Sequence, residues 1–190
     1  AYGYLNIQSQ PRLRATANLA VDNFGFKDLI DMRKLRIVGQ LPTSETTPSL
    51  LTAKMESLRS GNREIQQGEI SLAGIRKAHL LKVSAQNEKS KFYVQLAGGF
   101  NAQNDWLGQI QKGDFDSLRA RLVQRQSAAV VYNSAKADLL IGAHCWMSQQ
   151  SQLCFDQPIR VSKTRGNISF VTQNLDLNDF AAFMPEGLAI

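Results

Sequence analysis

The two cysteines, Cys145 and Cys154, lie nine positions apart, and His144 directly precedes the first of them. Thiolate and imidazole groups are the ligands that zinc prefers, but a structural zinc site needs about four of them. Thioredoxin-like redox chemistry requires a Cys-x-x-Cys spacing. Because neither condition is met, the spacing favours one disulfide that closes a small loop. A disulfide indicates an oxidising compartment.

The remaining candidates for catalysis are histidines and a pair of carboxylates. His144 and His79 could each act as a general base, but no Gly-x-Ser-x-Gly elbow supplies a nucleophile for them. Asp114 and Asp116 could serve as the acid and base of a glycosidase. They flank Phe115 beside an expected turn, where acidic residues are commonly solvated. We therefore predict that the chain is not an enzyme, has no catalytic residue, and binds no metal or cofactor.

The elements that would position these groups alternate between apolar and polar residues. Such alternation places one face of a β-strand against an apolar surface and the other in water. We predict that the apolar members share one face, which lines a lipid groove: Leu81, Val83, Phe92, Val94, Leu96, Leu118, Leu122, Leu139, Ile141, Ile168 and Phe170. An ordinary β-sandwich core explains the same alternation. The pattern therefore does not distinguish an open groove from a closed core.

Polar turns separate the alternating runs at intervals that suit a meander of strands, and Lys112–Asp114 is one expected turn. Gly98 and Gly99 indicate a bulge or bend at a strand end. Helical spacing is confined to a possible single turn at Asp28–Met32 and a short segment at Asn178–Met184, stopped by Pro185. We predict an all-β fold, an elongated curved sheet with an apolar inner face and a short helix near the C-terminus. We predict that residues 1–190 form a single segment of a longer elongated β domain.

The charge pattern excludes some functions. The chain carries a net charge of +6, and 43% of its residues are apolar. Its basic residues are scattered and do not alternate with aromatic ones, so we do not expect nucleic-acid binding. Neither a signal peptide nor an apolar stretch of bilayer-spanning length is expected in the sequence.

Two segments carry a resemblance to a known family. The segment 141–146, Ile-Gly-Ala-His-Cys-Trp, followed by Leu153 and Cys154, resembles the Gly-Pro-His-Cys-Trp motif of the TamB family within the AsmA-like superfamily. Ala143 stands where that family has proline. Residues 183–187, Phe-Met-Pro-Glu-Gly, are similar to a second family motif. The resemblance covers roughly residues 49–187 and suggests a middle-to-late fragment of a longer protein.

The resemblance implies a β-sheet folded into a gutter, in a periplasmic protein anchored to the inner membrane by a segment outside this sequence. It implies that phospholipid acyl chains move along the gutter toward the outer membrane, and that a TamA-like outer-membrane barrel is the partner. It also implies the Cys145–Cys154 bond. The alternative is a chaperone-like factor for outer-membrane proteins, including autotransporters, which pairs its sheet edge with a substrate strand. A purely structural solenoid remains a further alternative.

Overall fold

A computed structural model describes residues 2–8, 14–26, 30–42, 46–60 and 63–176. These residues form a single open, curved sheet of 18 antiparallel strands, and the described part of the chain contains no helix. The predicted all-β class and curved sheet are therefore confirmed. No described helix could span a membrane. The strands are β1 Tyr2–Gln8, β2 Arg14–Phe26, β3 Ile30–Pro42, β4 Ser49–Met55, β5 Ser57–Ser60, β6 Arg63–Ile65, β7 Gln67–Ile75, β8 Ala78–Gln86, β9 Ser90–Phe100, β10 Trp106–Ser117, β11 Arg121–Gln124, β12 Ala128–Asn133, β13 Asp138–Ile141, β14 His144–Met147, β15 Gln152–Phe155, β16 Ile159–Val161, β17 Gly166–Asn167 and β18 Val171–Gln173.

Strands β1–β4 and β7–β10 form a meander, and the short β5–β6 hairpin pairs with β3 beside β4. Each of β1, β2 and β3 pairs with the next, and β3 then divides its partners between β4 and β5. From β4 the sheet passes to β7, β8, β9 and β10. Polar side chains close its turns. The side chain of Asn87, for example, accepts hydrogen bonds from the backbone N–H groups of Lys89 and Ser90.

The sheet branches at β10, whose length allows it to pair with two short strands. One half, Trp106–Ile110, pairs with β12 and continues through β13, β16 and β17. The other half, Asp114–Asp116, pairs with β11 and continues through β14, β15 and β18. Both arms contribute to one core, which contains Phe115 and Leu122, the largest fully buried side chains among the described residues. Around them pack Val94, Ile110, Ala128, Val130 and Trp146.

Two local predictions require correction. Lys112–Asp114 is not a turn; it lies inside β10, just after a register shift between Ile110 and Lys112. An irregularity of this kind bends the strand without ending it. Ile30–Met32 is not a helical turn but the start of β3, because Ile30 and Met32 pair with Phe26 and Phe24. The predicted helix at residues 178–184 lies outside the described residues.

Candidate functional site

The cross-strand register assigns apolar residues to one side of the sheet, called here the first face. Residues directly opposite each other in an antiparallel pair point to the same side. Direct partners connect five apolar residues in a continuous row, the apolar row: Leu51, Leu72, Leu81, Leu96 and Ile110. A parallel row contains Ala53, Ile70, Val83 and Val94. The first face of β4, β7, β8 and β9 carries no Lys, Arg, Asp or Glu.

Most of the residues predicted to line a groove lie on this first face according to the register: Leu81, Val83, Phe92, Val94, Leu96, Leu122, Leu139 and Ile141. Leu118 does not, because it lies in the Ser117–Ala120 turn, where it is 81% exposed. Ile168 and Phe170 lie between β17 and β18 and are also exposed, although the Phe170 ring makes an edge contact with Phe155. The role of all eleven predicted residues as the lining of a lipid groove stays a prediction.

The first face is open at one end and closed at the other. Across β4, β7 and β8 its leucines are only half-buried, and Ile70 is 46% exposed. At β10 and β11 the same face is covered, with Ile110 at 7% exposure and Leu122 at 0%. We call this covered core, which is built around Phe115, Leu122 and Trp146, the closed end. The same face is therefore half-exposed at one end of the single sheet and covered by a core at the other.

Trp146 fills the closed end in contact with a glycine. Its ring stacks on Phe92, with the centroids 6.0 Å apart. A Cβ atom built on Gly113 would lie 2.3 Å from the Trp146 ring. Only glycine leaves room for the indole at this position. Sequence reasoning missed this contact, although a glycine inside a strand pattern indicates a close approach.

The predicted disulfide is present. Cys145 and Cys154 are direct cross-strand partners in the β14–β15 hairpin, with Cα atoms 4.1 Å apart. Alternation places them on the side of the hairpin opposite Trp146 and Leu153. The covalent bond therefore joins the two strands that carry the indole into the core.

Each histidine is part of the packing. His144 is buried, its Nδ1 lies 2.8 Å from the carbonyl oxygen of Gly142, and its ring stacks on Phe155 at 4.8 Å. His79 lies between two partners: its Nε2 accepts a hydrogen bond from Trp106 Nε1 at 2.7 Å, and its Nδ1 lies 3.2 Å from the Ile75 carbonyl oxygen. These contacts fix ring orientation, which is a structural use of imidazole.

The opposite side of the sheet, the second face, carries the charged groups. Lys54 pairs with Glu69 at 3.1 Å, and Arg121 donates to Asp114 at 2.9 Å. The hydrogen bond and charge of Asp114 raise the pKa of the Arg121 guanidinium. Asp116 is exposed beside them. Within the described ranges, no group of three or more His, Cys, Asp or Glu side chains could hold a metal ion.

Comparison with known proteins assigns the family. No solved structure matches this chain. A family model described as "TamB, N-terminal domain" matches residues 8–190, which includes most of the first 48 residues that the motifs did not cover. That description names an N-terminal domain, so the expected middle-to-late position is not confirmed, and the wider AsmA-like grouping stays a prediction. Because the match covers nearly the whole sequence, this chain belongs to the TamB family.

Proposed function

We propose that this chain is a non-catalytic segment of a periplasmic conduit in which phospholipid acyl chains move along the first face between the inner and outer membranes. The observation that carries the proposal is the apolar row, in which Leu51, Leu72 and Leu81 continue through Leu96 to Ile110 as direct cross-strand partners. With neighbouring strands about 4.8 Å apart, the row extends for about 19 Å across the strands.

The chemistry of the first face suits a sliding acyl chain. Each methylene group moved from water to an apolar surface gains about 0.8 kcal/mol. Because the first face of β4, β7, β8 and β9 lacks charged residues, successive positions along it are similar in free energy for a lipid tail. A headgroup can stay in water at the open side. Movement of this kind uses no nucleophile, base or cofactor.

The closed end limits where lipid can lie. Leu122 and Phe115 are fully buried, so the described core has no room for an acyl chain. The face continues in the other direction, since Ala53 pairs with Ile37 and Ile37 with Leu19, which is 37% exposed. The proposed path therefore lies across the strands between β2 and β9 and stops where the closed end begins at β10.

Family membership and the disulfide support the cellular setting of this proposal. A TamB-family chain is expected to act in the translocation and assembly module, together with a TamA-like outer-membrane barrel and an inner-membrane anchor outside these residues. The Cys145–Cys154 bond suits the oxidising periplasm.

The test adds one charge on either side of strand β7. Ile70 and Ser71 are neighbours that point to opposite faces, and Ile70 is 46% exposed, so Ile70→Glu leaves the charge within reach of water. Ile70→Glu should fold normally and reduce phospholipid transfer by the complete protein, because lipid tails must pass an ionised group. Ser71→Glu, the matched control, should leave transfer unchanged.

Other outcomes of this experiment reject the proposal. Normal folding and unchanged lipid transfer in Ile70→Glu would show that the first face is not the path. If lipid transfer were unchanged while outer-membrane protein assembly failed, the chaperone-like alternative would replace the conduit. Circular dichroism of both variants verifies that each is folded.

A further inference from the structure

The second face carries an apolar strip that the proposed conduit does not use. Direct cross-strand partners define it: Gly99 opposes Leu107, Leu107 opposes Val131, and Val131 opposes Leu140. Leu107 is 47% exposed and Val131 is 36% exposed. The next partner of Leu140, on β16, is Arg160. The strip therefore ends at a cation.

Each end of this strip lies at a cavity. At the Gly99 end, a cavity of about 800 Å³ is lined mainly by small or apolar residues, including Leu80, Ala97 and Leu107, together with one cation, Lys77, and by no Asp or Glu among the described residues. At the other end, a cavity of about 740 Å³ is lined by polar and charged side chains. The first cavity is thus mainly apolar, and the second is polar and charged.

The polar cavity has an excess of positive charge. Lys136, Arg160 and Arg165 line it together with one carboxylate, Asp138. None of these three cations forms an ion pair with another described residue. The Asp138 Oδ1 atom is buried without a hydrogen-bond partner in the described part of the chain. Thr164 and Asn167 also line the cavity and supply donors beside the cations.

We propose that the second face binds one molecule of an anionic phospholipid, independently of the conduit on the first face. The phosphate lies among Lys136, Arg160 and Arg165, where charge-assisted hydrogen bonds are strongest. One acyl chain lies along Leu140 and Val131 and reaches the cavity beside Gly99 and Leu107.

The dimensions agree with this assignment. Four strand spacings separate Gly99 from Arg160, which is about 19 Å at about 4.8 Å per strand. An acyl chain fills about half of a hydrocarbon layer about 30 Å thick, so the strip can hold one. A cavity lies at each end of the strip, and three cations line one of them against a single lysine, Lys77, in the other. This asymmetry fits a single bound amphiphile better than a flat membrane surface.

The test titrates the 190-residue chain with lysophosphatidylglycerol below its micellar concentration, and with glycerol phosphate as the headgroup alone. The lysolipid should bind, and the double variant Arg160→Glu/Arg165→Glu should weaken it by at least about tenfold, since the variant removes two charge-assisted contacts. Leu107→Ser should weaken it by about fivefold through lost apolar contact. Arg36→Glu, an exposed cation elsewhere on the second face, is the control and should change little.

Several results would overturn the site. If glycerol phosphate bound as tightly as the lysolipid, the strip would hold no acyl chain. If Arg36→Glu lost as much lysolipid affinity as Arg160→Glu/Arg165→Glu, the effect would depend only on the overall charge of the protein. If Ile70→Glu abolished lysolipid binding while Arg160→Glu/Arg165→Glu did not, all lipid would lie on the first face. If an acidic peptide bound with the same Arg160 dependence and the lysolipid did not, the ligand would be a protein segment.

Discussion

Two leucines four positions apart provide a quantitative test of the closed end. Leu122 is 0% exposed and Leu118 is 81% exposed, although both follow the same alternating pattern in the sequence. Leu122→Ala removes buried methylene-sized groups at about 0.8 kcal/mol each and leaves a cavity, which together lower the free energy of unfolding by about 2–5 kcal/mol. Leu118→Ala removes a solvated side chain, so a change within about 0.5 kcal/mol is expected.

Urea unfolding followed by tryptophan fluorescence measures both effects. Both tryptophans, Trp106 and Trp146, lie against the closed core, so their emission reports on the part of the sheet that contains Leu122. A lower urea concentration at the unfolding midpoint, with an unchanged dependence of the unfolding free energy on urea concentration, indicates a change in stability alone. Equal, small shifts for Leu122→Ala and Leu118→Ala would refute the closed core and would extend the open face through β11.

Three further changes examine the same region. Gly113→Ala should destabilise the protein by about 1–3 kcal/mol through overpacking against Trp146. The control Gly142→Ala, whose added Cβ lies 3.4 Å from its nearest neighbour, should destabilise it much less. Equal urea midpoints for the two variants would refute the contact between Gly113 and Trp146. Loss of the Cys145–Cys154 bond should cost about 2.7 kcal/mol by the chain-entropy relation, and thiol titration of unreduced, denatured protein should find no free thiol. His144→Ala should lower the unfolding midpoint by removing a buried ring, and a selective loss of a hydrolytic or transfer activity in a folded variant would contradict our proposal that the residue is not catalytic.

Local sequence patterns predicted much of the sheet but not its closure. Alternation in Leu81–Ala85 and Phe92–Leu96 corresponds to β8 and β9, because period two is a property of each strand. Whether a face is covered depends on non-local pairing, such as Gln124 with Trp146, which alternation does not encode. The same limit applies to Leu118, where the side chain of Ser117 accepts hydrogen bonds from the backbone N–H groups of Arg119 and Ala120 and forms a turn instead of a strand.

The chemistry of the candidate site was predictable to a similar extent. The only two cysteines predicted the disulfide without knowledge of the fold. The sequence around Gly113 predicts a turn, because glycine and flanking charges are typical of turns. Its actual role is to leave space for an indole that lies on a different strand of the branched sheet. That role requires the tertiary arrangement of β10 and β14.

Photocrosslinking from the two sides of strand β7 can show which face of the sheet contacts lipid in the cell. A photoreactive phenylalanine analogue at Leu72 points to the first face, and the same analogue at Ser71 points to the second face away from the apolar strip. In cells that produce the complete protein, phospholipid adducts should form at position 72, and none above background should form at position 71. Equal adducts at both positions, or none at position 72 in folded protein, would contradict the proposal that lipid moves along the first face.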